Sequence, residues 1–391
     1  MHRQLSRQAS RKAFGTRTTG TLVVGVVGVV VVVLAYLVVG RLLSWPLASA
    51  STSNNSSTTN RARIEQVGRA TASAYRRYVV RYYEPRPTTH PLAPARIVGL
   101  GRNAPDPFVF VERGRYYLYT SQGNLVNNNV PVQSSTTLGR WGPVTDALPV
   151  LPNWVLPGYT WAPDVAKFGS SYVLYFTAAV RGSSPSMECI GAAAGKSPTG
   201  PFVAQQAPFI CQKSHFGSID PRTFTTSKGT VYMIWKSDDN ADVNGTQLTG
   251  IYAQLLSANG LELIGSPKKI FAPDEPWQGR IVEAPDLVQV GNAFWLFYSG
   301  NWFNQPYYAI GVARCSGPVG PCHDTSPTPW LASNLQGAGP GEESLFSDAN
   351  GVWMLYSPFR STRPSPDPPP RPIAMVRVGF GAGGPYVAST K

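Results

Sequence analysis

Histidine is scarce in this chain, at four in 391 residues, and no serine or cysteine nucleophile motif accompanies His90, His215 or His323. A Ser–His or Cys–His hydrolase therefore has no footing. Cysteine is as rare, again four, with no CxxC spacing and no paired histidine nearby, which argues against a zinc site. A glycine-rich phosphate loop is missing, so nucleotide chemistry finds no support. Charge is thin at 14%, and the net +13 is not spread along the chain. Residues 1–86 hold 13 Lys and Arg against Glu65 and Glu84, whereas residues 87–391 hold 21 against 19 acids. The nearly neutral body has no basic, aromatic-interleaved stretch, and nucleic acid is not an expected partner.

What is present begins with an apolar run. A basic tail, residues 1–21, precedes residues 22–40, which are almost unbroken Val, Leu and Gly. About 20 apolar residues span a bilayer as a helix. Arg and Lys stay on the cytoplasmic side, so residues 22–40 are expected to be a transmembrane signal anchor with the rest outside. Cleavage near Ala50, after the small-residue stretch Ala48-Ser49-Ala50, is the alternative, and would give a secreted protein. Residues 41–95 form a stalk: polar low-complexity "STSNNSSTTN", a segment with helical spacing of Ile64, Val67, Thr71, Tyr75, Tyr78 and Tyr82, then "EPRPTTHPLAP". Cysteines outside the cytoplasm usually pair, and Cys189 with Cys211 and Cys315 with Cys322 are the expected disulfides.

Residues 96–391 carry an internal repeat. Five segments share one pattern: "APDPFVFVERGRYYLYTS", "APDVAKFGSSYVLYFTA", "SIDPRTFTTSKGTVYMIWKS", "EAPDLVQVGNAFWLFYSG" and "GEESLFSDANGVWMLYSP". In each, an acidic start leads into a β-rich strand, a tight turn, and a second strand that ends in aromatics and Ser or Thr. A period of roughly 55–65 residues with several strands per unit predicts an all-β, five-bladed β-propeller. The starting acids Asp106, Asp164, Asp220, Asp286 and Glu343 are read as one register, in which case they converge on the central axis.

These motifs resemble glycoside hydrolase family 43, the arabinanases, arabinofuranosidases and xylosidases built on a five-bladed propeller. The resemblance runs from about Arg102 to Tyr356. Asp106 in "APDPFV" looks like the family's first-blade general base. Asp164 in "TWAPDV" is similar to the aspartate that orients the acid and tunes its pKa, and Glu283 in "VEAPDL" matches the general acid. "NVPVQSSTTLGRW" and "IGAAAGKSPTGPF" read like the family's blade connections. The resemblance implies an inverting glycosidase acting on α-arabinofuranosidic or β-xylosidic bonds of an extracytoplasmic polysaccharide. One carboxylic acid protonates the leaving oxygen and a carboxylate across the sugar activates water. A non-catalytic glycan-binding propeller at the cell surface is the alternative, and the presence of all three acids argues against it. Asp286 is expected to serve hydrogen bonding within its own strand.

Substrate contacts are expected from Trp161, Phe216, Ser218, Asp220 and Trp302, with aromatic faces for sugar C–H groups. Gly217-Ser218 stands where the family often has Asn-Ala. In the fifth blade "GPGEES" puts Glu342 where many relatives have a histidine that supports an ion or water cluster. No cofactor or metal is expected, although a glutamate there offers calcium an oxygen ligand.

Overall fold

The computed structural model describes residues 103–122, 127–183, 187–242, 245–333, 337–359 and 370–388. The basic tail, the apolar run 22–40 and the stalk 41–95 lie outside the described residues. Among those described, no helix is long and apolar enough to cross a membrane.

Short runs of β-branched and aromatic residues alternate with turns throughout, and they pair into five four-stranded antiparallel sheets, each in chain order. The first sheet holds Phe108–Glu112, Arg115–Tyr119, Pro131–Ser135 and Thr145–Asp146. Its opening hairpin turns on Arg113 and Gly114, with φ of 49° and 73°. A two-residue turn with both φ positive matches the right-handed twist of the flanking strands. The other four sheets begin with Val155–Phe168, Ser218–Thr225, Val282–Val290 and Ser344–Asp348. The opening strand of every sheet packs against those of both neighbours, and the fifth packs against the first. Five blades thus surround one axis, as the repeat predicts.

The apolar core lies between blades rather than at the axis. Five clusters fill the five junctions, such as Phe108, Tyr119, Leu174 and Phe176 between the first and second blades. Leu118, Phe346, Leu355 and Met375 fill the junction between the fifth and the first. In the first, second and fourth blades the Ser or Thr near the end of the second strand has a task here. Ser121 Oγ accepts a hydrogen bond from Ala162 N at 2.8 Å, Thr177 Oγ1 from Asp220 N at 3.1 Å, and Ser299 Oγ from Glu342 N at 2.9 Å. Each bond ties one blade to the next.

The fifth sheet takes all its strands from residues after 344, so the two ends of the ring share no strand. Ala104 N donates to Arg371 O at 2.9 Å and Arg371 N to Asn103 Oδ1 at 3.1 Å. Tyr116 OH donates to Asp348 Oδ2 at 2.7 Å across the same junction. Both expected disulfides, Cys189–Cys211 and Cys315–Cys322, are formed.

The single acidic register does not hold. Asp106, Ala162, Asp220, Ala284 and Glu342 are the equivalent residues, with φ of 53°, 45°, 54°, 48° and 55°. The first four precede a proline, whose ring disfavours the right-handed helical region for the residue before it. In the second, third and fourth blades the strand pairing slips by a residue here, forming a bulge. Proline has no N–H to lose from the ladder, which suits it to such a place. Asp164 and Asp286 stand two residues further along their strands, in another tier, and Glu343 occupies the place of the prolines.

Candidate active site

The left-handed residues open the site. Non-glycine residues at positive φ are uncommon, and strain of this kind gathers where function needs it. All five line one axial pocket, with Pro221, Arg222 and Pro285 completing the wall. Asp106, Asp220 and Glu342, from the first, third and fifth blades, contribute the carboxyl groups.

Glu283 joins them from the preceding position of the fourth blade. Its side chain is 8% exposed. Lys236 Nζ, fully buried, stands 3.2 Å from Glu283 Oε2 and 3.6 Å from Asp238 Oδ1. Burial opposes the Lys236 charge, but Glu283, Asp238 and Asp220 more than offset this and hold the ammonium above its usual range. Asp220 Oδ2 accepts from Ala284 N at 3.0 Å, which fixes the backbone beside Glu283. Burial, against the pull of Lys236 and reinforced by Glu283, lifts Asp220 to about 7. Burial also raises Asp106, while Arg371 and a hydrogen bond from Ser121 Oγ oppose it and Glu283 adds to it. Burial and the charges of Asp106, Asp220 and Glu283 drive Glu342 well above the ordinary glutamate range, with Arg371 opposing.

Beneath the pocket lies a second tier. Arg222 reaches Asp164 Oδ1 at 3.4 Å in the second blade and Asp286 Oδ2 at 3.8 Å in the fourth. Its guanidinium also covers the Phe108 ring of the first blade at 4.8 Å. One arginine therefore floors the axis. Asp164 is fully buried and accepts from Thr223 N at 3.2 Å and Thr223 Oγ1 at 2.8 Å. It lies outside the pocket lining, bound to the third blade. Asp286 accepts from Leu345 N of the fifth blade at 2.7 Å, so its hydrogen bonding is between blades rather than within its strand.

The expected substrate contacts separate. Asp220 lines the pocket. Trp161 occupies in the second blade the register of Glu283 and is half-buried, edge-on to the exposed Tyr159 at 6.3 Å. Ser218 is buried, accepting from Gln212 N and donating to Gln212 Oε1, both at 3.1 Å, and it does not line the pocket. Phe216 caps the turn Lys213–His215 with φ of 58°. Trp302 is 42% exposed beside equally exposed Phe303. Neither Phe216 nor Trp302 lines the pocket.

Lys236, Tyr308, Arg222 and Arg371 were not legible as site residues. Only Lys236 left a signal, as a lone charge inside the apolar strand "VYMIWKS".

Several carboxyl groups gathered at the axis of a propeller, beside a buried lysine and arginine, fit a glycosidase of the acid–base type. More particularly, the chain belongs to the glycosyl hydrolases family 43, whose model matches residues 98–384. A probable arabinan endo-1,5-alpha-L-arabinosidase A of Aspergillus clavatus is 24% identical, covering 70% of this chain and 87% of that protein. The arabinan endo-1,5-alpha-L-arabinosidase A of Aspergillus niger is 26% identical, covering 64% and 79%. A solved thermostable family-43 glycoside hydrolase superposes with a TM-score of 0.66 at 26% identity, over 76% of this chain and 96% of that one. The fold is shared with an alpha-L-arabinofuranosidase from Lactobacillus brevis, TM-score 0.63, 18% identical, over 74% and 94%.

Proposed function

We propose that this glycosidase is inverting, cleaves α-arabinofuranosidic bonds, and works on polysaccharide outside the cytoplasm. Asp106 is the general base and Glu283 the general acid. Asp220, rather than Asp164, is the carboxylate that adjusts them. The observation that carries this reading is the placement of Asp106 in the axial pocket from the first blade and of Glu283 on the fourth, one residue before the pocket-lining Ala284, with Asp220 between them in sequence order and bonded to the Ala284 backbone. Asp164 has its oxygens engaged by Arg222 and Thr223 instead.

In the reaction, a water held by Asp106 attacks the anomeric carbon while Asp106 takes its proton. The glycosidic C–O bond breaks, and the departing oxygen takes the proton of Glu283. Arabinan as substrate is supported by the names of the 24–26% identical relatives. Calcium has no part in this reading. Glu342 Oε1 is taken up by Tyr308 OH at 2.7 Å and faces Arg371 Nη1 at 3.9 Å, so the donors here suit a fixed guanidinium better than a second cation. Two disulfides favour an oxidising compartment, with residues 22–40 as anchor or, after cleavage near Ala50, none.

The test is the anomeric configuration of the first product from an arabino-oligosaccharide, followed by NMR. Inversion of an α-linkage releases the β-anomer first. Initial release of the α-anomer would refute the mechanism, and no sugar release at all from arabinan or arabino-oligosaccharides would refute the substrate.

A further inference from the structure

Tyr308 is buried, and its hydroxyl stands 2.7 Å from Glu283 Oε1 and 2.7 Å from Glu342 Oε1. A phenol has one proton to give. If it donates to one carboxylate, the other carboxyl must itself carry a proton and donate to the phenol oxygen. Two ionised carboxylates cannot both sit against that atom in a buried site without a steep penalty.

Glu342 is the group with more reason to carry the proton. Lys236 stands against Glu283, whereas Glu342 faces Asp106 of the first blade, Asp220 of the third and Glu283 of the fourth. Among the described residues its counter-charge is Arg371, at 3.9 Å, and that guanidinium is already donating from Nε and Nη2 to Ser357 O at 3.2 and 2.9 Å. The Glu342 carboxyl is also hydrogen-bonded to Asp106. An unbroken series of contacts therefore runs from Asp106 through Glu342 and Tyr308 to Glu283.

We infer that Glu342 and Tyr308 form a proton-return relay that carries the proton taken up by the base back to the acid after each turnover. The inference rests on the reading of Asp106 as base and Glu283 as acid. At the end of the reaction Asp106 holds a proton drawn from water and Glu283 has lost one to the leaving group. To reset, Asp106 passes its proton to one oxygen of Glu342. The other oxygen of Glu342 releases its own proton to the Tyr308 oxygen, and the Tyr308 hydroxyl proton moves to Glu283. Glu342 and Tyr308 each end with the one proton they began with, Glu342 on its other oxygen, and the carboxyl and hydroxyl rotate back before the next cycle; the net change is one proton moved from Asp106 to Glu283. Product still in the pocket does not block this route, because it runs through the wall.

The test uses Glu342→Gln and Tyr308→Phe on two substrates, an arabino-oligosaccharide and the 2,4-dinitrophenyl arabinofuranoside. The oligosaccharide needs a protonated Glu283 in every cycle, while dinitrophenolate departs without acid assistance. Both variants are expected to lower kcat on the oligosaccharide by about 100-fold, the lower end of acid–base effects. Their loss on the aryl glycoside should be several-fold smaller, and added formate should recover part of the Glu342→Gln rate. Equal losses on the two substrates, or no loss in either variant, would overturn the relay. If Glu342→Gln does not fold, as judged by its thermal transition, Tyr308→Phe carries the comparison. A wild-type protein that cleaves neither substrate would overturn the functional reading itself, which separates that failure from failure of the relay.

Discussion

Replacing Arg222 with methionine would keep much of its volume and remove the charge that floors the axis. Asp164 and Asp286, which share a tier, would then lose the counter-ion that the described residues give them, since Arg222 contacts both, at 3.4 and 3.8 Å. Breaking a buried pair by removing one partner costs about 3–5 kcal/mol. In a domain of this size that lowers Tm by on the order of 10 °C. The sign with pH follows from the two acids. Burial raises Asp164 and holds Asp286 at about 6, and Arg222 opposes both shifts. Without Arg222 both would rise further. A carboxyl whose folded pKa is raised loses stability as pH climbs from its unfolded pKa, about 3.9, through the folded value. The Arg222→Met penalty should shrink as pH falls toward 4 and both acids take up protons, and should be full near pH 8. Calorimetry of wild type and variant across that interval measures it. Adding Asp164→Asn and Asp286→Asn should restore most of the loss at pH 8. A drop in Tm that is equal at pH 4 and pH 8, or absent at both, would show that Arg222 is not compensating these carboxylates.

Asp220→Asn should lower kcat by about 100-fold or more, as loss of an acid–base partner does, while Asp164→Asn should reduce Tm and leave kcat of the folded protein within a few-fold of wild type; steady-state kinetics beside thermal melts decides between them. Ser121→Ala removes a hydrogen bond that favours the charged form of Asp106. The acid limb of kcat/KM should therefore move to higher pH, by up to about one unit. Glu343 is fully buried, and burial, opposed by a hydrogen bond from Ser299, lifts it to about 8 from 4.5. Because that pKa is raised, stability falls as pH rises from about 4.5 to 8, by an amount on the order of several kcal/mol. Glu343→Gln should flatten this slope, read as urea midpoints at pH 5 and pH 8.5.

Blade number, blade order and the disulfide pairs could be read from the sequence because each depends on local patterns: alternation, turn residues and short-range cysteine spacing. The positions of Asp106 and Glu283 within their blades were legible for the same reason, as each sits at a fixed place in a repeat. The tier of each acid was not. Aligning acid with acid groups Asp106 and Asp220 with Asp164 and Asp286, although the latter pair stands two residues deeper, about 6–7 Å along a strand. Aligning on Pro107, Pro163, Pro221 and Pro285 gives the correct register, because the bulge and the left-handed residue belong to the position before proline. Ser218 shows the opposite limit: its sequence neighbourhood suits a pocket, and its hydroxyl turns to Gln212. Tyr308 and Arg371 lie in connecting segments with no repeat to place them, so their approach to Glu283 and Glu342 exists only once the ring is folded.

Arg371 ties the last blade to Asn103 and Ala104 and stands beside Glu342 and Asp106. The stitch and the counter-charge are one residue. A growing polypeptide that has completed four blades already contains Asp106, Asp220 and Glu283, yet lacks this cation and the fifth-blade carboxyl. The axial pocket thus gains its last wall and its guanidinium only with the final sheet.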